Sequence, residues 1–470
     1  MPDILLPVLC GMLTLGLIVG NQRINVGFAL ALGYALGMGI LGQLMLLMGW
    51  QEISIDKGTV SLALFIYLSV ISLLFLLRLY FFSSDIPPKS PTIEPSLTWM
   101  RKAVFVIMLA YISYQMAYIF WNAWYLPVYQ ADAFSLHAYK AKIFFHTHHL
   151  KQPSELYLAG KYLSYPLQIP LVVTWVALNI GQWHEGWAQM TIALNCLVFI
   201  VIVYHGVKLW TDRLTALLTV TLILSSFFFV LHASMVYGDF TVMSYTILAL
   251  LLMAWGVHSR AISFIILGGL MSAFGASVKL EGIEYFVLEL IVLCRFIFAK
   301  EFFDPRFALK SFGGYVLPFI LVEANFLYFK AHYGITEISN QEHHFVFFQQ
   351  GLLIYIFTIA MALVDNFFLS GNWNILWFFL IVMVLANRGY QRSFAIQFFG
   401  FALGIFFVSF WVTVPFTDLF VYYTDRSSMD TLSRVLLHFY PLCPILIGLL
   451  TFNFLKNRRP HFASHPVELL

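Results

Sequence analysis

The sequence has little charge. Of its 470 residues only 10% are Asp, Glu, Lys or Arg, against roughly a quarter in soluble domains. Length alone would suggest about three soluble domains, but there is too little charge to wet their surfaces. Cysteine is also scarce. Cys10, Cys196, Cys294 and Cys443 all lie inside apolar runs, and no Cys-x-x-Cys spacing occurs. This argues against a disulfide scaffold or a cysteine metal site and reads as buried thiols packed as small hydrophobes. No Asn-x-Ser/Thr triplet is present, so nothing looks shaped for glycosylation in an ER lumen, which favours a bacterial plasma membrane. The net charge of +3 is too small to imply nucleic acid or another polyanion as partner. The first residues, MPDILLPVLCGMLTLGLIVG, lack a basic n-region and read as a retained membrane helix rather than a cleaved signal.

What is abundant is apolar surface. Hydrophobic residues make up 61% of the chain, and the mean hydropathy is +0.83. The fold class implied is all-α, a polytopic transmembrane helical protein. Runs long enough to span lie near 4–20, 26–48, 59–77, 103–121, 187–207, 214–231, 240–257, 262–278, 283–299, 311–328, 373–387, 393–413 and 433–455, about thirteen in all. The stretches 166–183 and 346–369 are taken as interfacial or re-entrant helices. A Pro- and Ser-bearing linker, SSDIPPKSPTIEPS (83–96), suggests a boundary. The expected organisation is an accessory three-helix unit (1–82), a cytoplasmic linker (83–101) and a working membrane domain (102–470) with a long outer loop (122–186).

Positive charge sets the orientation. With the N-terminus outside, inner loops hold 17 of the 26 basic residues, including Arg78, Arg101, Lys102, Lys208, Arg213, Arg295, Arg306 and Lys456, against six acids. The C-terminus is then cytoplasmic. Ten of the 14 histidines fall outside, so polar chemistry gathers on the outer face.

Four outer segments carry the candidates. In DAFSLHAYKAK (132–142), Asp132, His137 and Lys140 fall within about two helical turns, with Lys142 further round. A carboxylate at a membrane edge can take a proton, and nearby cations can hold a phosphate. The alternative is an interfacial helix whose charges only face water. KYLSYPLQIP (161–170), with Tyr165 before Pro166, re-aims the chain or is a simple turn. In VYGDFTVMSY, Asp239 begins a span; it is either a functional acid or a charge favoured at a helix N-terminus. In SVKLEGIEYF (277–286), Lys279, Glu281 and Glu284 interrupt two spans, and Gly282 suits a tight turn. They form a structural ion pair or a phosphate-binding Lys supported by Glu281. Late in the chain, Arg434 and His438 share a helix face. Arg434 suits a phosphate headgroup, or it snorkels to lipid. Glu289 and Glu323 lie within spans and must be paired, neutral or facing a polar cavity.

In order and side, these motifs resemble polytopic GT-C glycosyltransferases that use polyprenyl-phosphate sugars, related to the protein O-mannosyltransferase and aminoarabinose transferase families. DAFSLHAYKAK resembles the first outer-loop acidic motif, YLSYPLQIP a DYPLL-type segment, VYGDFTVMSY a GYADxxxAxY segment and SVKLEG a TKNEG segment. SMDTLSRVLLHFYP resembles a late TSxDRLLLHLxP segment. The resemblance covers about 102–450. Departures are Ser164 for the acid of DYP, VKLEG for TKNEG, and Ser433 where an acid is usual.

The resemblance implies an inverting glycosyltransferase. A sugar on a polyprenyl-phosphate donor in the outer leaflet passes to the hydroxyl of a glycan, glycolipid or protein acceptor. Asp132 would be the general base. Lys279 and Arg434, assisted by Lys140 and Lys142, would stabilise the departing phosphate, and Asp239 and Glu281 would position the acceptor or the Lys. His137 and Tyr165 complete the expected substrate-binding set. No cofactor is expected. The histidines of HTHHL (146–150) and the pair His343–His344 are where a divalent ion would bind, but they lack acidic partners. The alternative function is a lipid-linked sugar flippase or secondary transporter, although such proteins place charge near the midplane, often in repeated halves.

Overall fold

The computed structural model describes residues 2–20, 24–81, 98–150, 165–299, 303–335, 352–390, 392–413 and 429–458. Linker 83–96 and His343–His344 lie outside these residues. All regular structure among the described residues is helical. The helices are α1 (Leu6–Val19), α2 (Val26–Trp50), α3 (Lys57–Phe81), α4 (Trp99–Tyr125), α5 (Tyr139–Thr147), α6 (Gln168–Ile180), α7 (Glu185–Lys208), α8 (Arg213–Ser225) and α9 (Phe227–His232). They continue as α10 (Gly238–Ser259), α11 (Ile262–Ala276), α12 (Glu281–Ile297), α13 (Pro305–His332), α14 (Leu352–Val364), α15 (Leu376–Ala386), α16 (Phe394–Thr413), α17 (Met429–Leu437) and α18 (Leu442–Arg458).

Every apolar run read as a span contains a helix. Among the described residues seven helices are long and apolar enough to cross a membrane, or eight if the bent pair α17–α18 is one span. The remaining runs form shorter helices. Ser226 divides the run at 214–231 into α8 and α9, its hydroxyl accepting from the Phe229 amide at 3.2 Å. Pro441 sits in the 47° bend between α17 and α18, where its missing amide breaks the helical ladder. Loop acids and amides cap the helices. Asn25 Oδ1 accepts from the Gly27 amide, Asp212 Oδ1 from Thr215 and Asp304 Oδ1 from Arg306.

The innermost helix is α10, buried along its whole apolar window. In lipid, helices associate through close packing rather than apolar burial, and small residues allow the approach. A Cβ at Gly269 on α11 would lie 2.4 Å from the Tyr315 carbonyl oxygen on α13, and one at Gly37 on α2 would lie 2.0 Å from that of Pro7. Helix α6 buries every side chain but Val176 and Ile180; it is lodged among α2, α5 and α7 rather than lying on a surface. Helix α2 packs against α6, α7 and α13 as well as α1. Of the cysteines, Cys10, Cys196 and Cys443 are buried and Cys294 is half-buried.

Candidate active site

Asp239 lies in the first turn of α10, where the helix dipole favours a carboxylate. Its side chain is fully buried, so dipole alone does not support it. Four contacts do. Lys279 Nζ donates to Oδ1 at 2.9 Å and His438 Nε2 lies 2.9 Å from the same oxygen. Arg434 donates Nε at 3.1 Å and Nη2 at 3.0 Å to Oδ2. Taking a carboxylate out of water costs several kcal/mol. At an effective dielectric constant of about 20, each cation contact at this distance returns roughly 5 kcal/mol, which offsets the burial of the carboxylate and part of the burial of the two cations themselves.

Arg434 then carries the network outward. Its Nη2 reaches Asp132 Oδ2 at 2.6 Å, and its guanidinium lies over the Tyr237 ring, 4.6 Å from the centroid. Asp132 is 37% exposed at the side chain and Glu281 35%, so these two carboxylates are where solvent or an acceptor reaches the cluster, whereas Asp239 is sealed inside it. On the other side Lys279 Nζ binds Glu281 Oε1 at 2.7 Å. Burial disfavours the charge of Lys279, but the carboxylates of Asp239 and Glu281 overcome it and hold the ammonium well above its ordinary range. Four segments far apart in sequence thus meet at helix ends.

Local structure explains the placing. The turn carrying Lys279 joins α11 to α12 in four residues. Gly282 permits it by close approach rather than by an unusual φ. A Cβ there would lie 2.5 Å from the Gly275 carbonyl oxygen and 2.6 Å from Ala276 backbone atoms. Arg434 lies in the last turn of α17 and His438 directly follows that helix; Tyr285 of α12 hydrogen-bonds His438 Nδ1. Donation from the phenol leaves Nε2–H to donate to Asp239. Ser433 accepts from Asn366 Nδ2 at 2.7 Å and Asn372 Nδ2 at 2.8 Å, and Trp373 Nε1 donates to Asn366 Oδ1 at 2.7 Å. The Ser433 hydroxyl is therefore held by neutral amides, one residue from Arg434.

The other sequence candidates border this cluster or lie outside it. After Asp132 the chain makes a π-helical turn, Ala133–Ala138, and enters α5. This buries His137 and Lys140, at 2% and 1% exposure. A Cβ on Gly238 would stand 3.2 Å from His137 Nε2, so the glycine makes room for the ring next to Asp239. Lys140 Nζ lies 6.0 Å from the Tyr165 ring centroid, and the His137 ring is 6.4 Å from it. Lys142, two residues on, is exposed and outside the cluster. His148 takes a left-handed φ of 59° at the end of α5, with Nδ1 3.3 Å from the Ile55 carbonyl oxygen. Within the spans, Glu289 Oε2 accepts from the Tyr315 hydroxyl at 2.5 Å, while its Oε1 is buried without a hydrogen-bond partner among the described residues. Glu284 accepts from Ser409. Tyr237, Tyr285, Asn366 and Asn372 were not singled out from the sequence. Their signal was weak because Tyr and Asn beside membrane helices ordinarily read as an aromatic belt or a turn.

Burial lowers His137 to about 3, with the charge of Lys140 adding to it. It lowers Lys140 to about 7. An unfolded Lys keeps its proton to about pH 10.5, so between about pH 7 and 10.5 the unfolded chain binds more protons than the folded one. Stability from this group therefore rises with pH across that window and is flat below it. Thermal unfolding of wild type and Lys140→Met at pH 7 and pH 9 checks this. The wild type is expected to gain stability relative to the variant, and equal pH dependence would contradict it.

A helical bundle with seven or eight helices long and apolar enough to cross a membrane among the described residues, closed around a buried ionic cluster, has the architecture of a polytopic membrane protein. Among solved structures the chain is similar to ArnT from Cupriavidus metallidurans bound to undecaprenyl phosphate, with a TM-score of 0.51 and 15% sequence identity. The match covers 74% of this chain and 60% of that one, so the chain spans about three fifths of its length. At this identity the likeness shows the fold. No protein-family model and no curated protein matches the sequence.

Proposed function

We propose that the protein is an inverting glycosyltransferase of the outer membrane face, moving a sugar from a polyprenyl-phosphate carrier to an acceptor hydroxyl. The observation that carries this reading is the joining of Asp132 through Arg434 to Asp239 and Lys279 in one cluster. The bound undecaprenyl phosphate of the similar ArnT structure supports a polyprenyl phosphate as the ligand.

In the proposed step the acceptor oxygen bonds the anomeric carbon from the face opposite the phosphate. The bond from that carbon to the phosphate oxygen breaks, and polyprenyl phosphate departs with the electron pair. The acceptor proton passes to Asp132. Negative charge grows on the leaving phosphate, where Lys279 and Arg434 stabilise it. An arriving phosphate competes with Asp132 for Arg434, which frees the carboxylate to act as a base when the donor is in place. Asp239 holds both cations at the right spacing, and Glu281 supports Lys279. The grouping of the charges at helix ends favours this over a flippase, which needs them along a path through the membrane.

Equilibrium binding of undecaprenyl phosphate to the purified protein tests the site. Saturable binding is expected, weakened about tenfold or more by Arg434→Lys, because a lysine cannot reproduce the guanidinium fork. Binding that is equal in the variant would contradict the assignment of Arg434.

A further inference from the structure

The first three helices lie outside the stretch that carries the resemblance, and nothing above gives them a role. Helix α2 nevertheless makes a chain of polar contacts that ends at the Lys279 turn. Trp50 Nε1 donates to Asn325 Oδ1 at 2.9 Å, and Asn325 Nδ2 donates to the Gln43 carbonyl at 3.1 Å and to its Oε1 at 2.9 Å. Gln43 Nε2 then donates to Ser277 Oγ at 3.0 Å. The Ser277 carbonyl accepts from the Gln168 amide at 3.3 Å, and Gln168 is itself tied to α2, its Nε2 donating to the Met38 carbonyl at 2.6 Å. Ser277 is thus gripped at its hydroxyl by α2 and at its carbonyl by α6.

Two glycines let α2 come close enough. A Cβ at Gly39 would lie 2.2 Å from the Phe274 ring, and one at Gly42 would lie 2.0 Å from Gln168 Oε1. The loop after α2 also holds the end of α5, the Ile55 amide donating to the His148 carbonyl at 2.7 Å. Polar side chains on a membrane helix are costly unless paired. Ordinary packing of α2 needs neither Gln43 nor Trp50, yet both are joined through Asn325 along one line toward Lys279.

From this geometry we infer that α2 is a brace for the active site and that Gln43 is a positioning residue for Lys279, acting through Ser277. The turn has only four residues between two packed helices, and Gly282 fixes its far side against the backbone of α11. Rotation at Ser277 therefore displaces Lys279 from between Asp239 and Glu281. The inference rests on the reading of Lys279 as the phosphate-binding cation.

Gln43→Met keeps length and packing and removes the hydrogen bonds; Ser277→Ala removes the accepting hydroxyl with a smaller change. Two measurements on the full chain test the brace. Reductive methylation followed by peptide mapping reads whether Lys279 is seated, with or without lipid. Titration with undecaprenyl phosphate reads phosphate affinity. Both variants are expected to unfold near the wild-type midpoint, to expose Lys279 to several-fold faster methylation, and to bind the lipid about fivefold more weakly, as loss of one hydrogen bond would give. Adding Gln43→Met to Lys279→Met is expected to cost no further affinity. Unchanged protection of Lys279 in both folded variants would overturn the brace. Faster methylation of Lys279 in a protein whose wild type binds no lipid phosphate would instead overturn the reading of the site and leave the brace standing.

Discussion

Asp239→Asn is expected to be the most damaging single substitution to the fold, costing about 3–5 kcal/mol. The side chain is fully buried, and Lys279 and Arg434 both point their charge at it. An amide of the same shape leaves two cations sharing the weaker field of Asp132 and Glu281, and turns one hydrogen-bond acceptor into a donor facing donors. Thermal unfolding in detergent reads the loss. Adding Lys279→Met removes one uncompensated charge, so the double variant is expected to be more stable than Asp239→Asn alone. If the losses simply add, Lys279 and Asp239 do not act as a pair.

Asp132→Asn is expected to show the opposite profile. The carboxylate is partly exposed, and its ion pair among the described residues is with Arg434, so the fold is expected to survive its loss. On the proposed role of Asp132 as the base, turnover of a lipid-linked sugar is expected to fall by about 10²–10⁴-fold, while affinity for polyprenyl phosphate changes little or rises as Arg434 is released. Single-turnover kinetics on the wild type and the variant separate the two effects. Turnover within a few-fold of wild type would remove Asp132 from the chemistry.

The membrane class, the helices and most of the cluster were legible in the sequence because each leaves a local trace. Apolar runs of spanning length mark the helices, and a charge next to such a run is costly enough to stand out. Asp132, Asp239, Lys279, Glu281 and Arg434 all carry that mark, and they meet. The partners that complete the site carry no such mark. Tyr285 is one of 24 tyrosines in an aromatic-rich chain, and only the fold brings it to His438. Asn366 and Asn372 reach Ser433 from a segment more than 60 residues away. The burial of Lys140 beside an exposed Lys142 depended on how α5 is rotated, which a π-helical turn sets and the sequence pattern does not show. Gln43, in mid-helix among glycines and leucines, looked like packing. Its meaning lies in Ser277, 234 residues on.

The most direct measurement of the central claim is the fate of a labelled polyprenyl-phosphate sugar given to the purified protein in sealed vesicles with a hydroxyl-bearing acceptor. Inverting transfer requires one polyprenyl phosphate released for each sugar transferred, with the anomeric configuration inverted. Recovery of the sugar lipid intact in the opposite leaflet, with no phosphate lipid formed, would contradict it and identify a flippase.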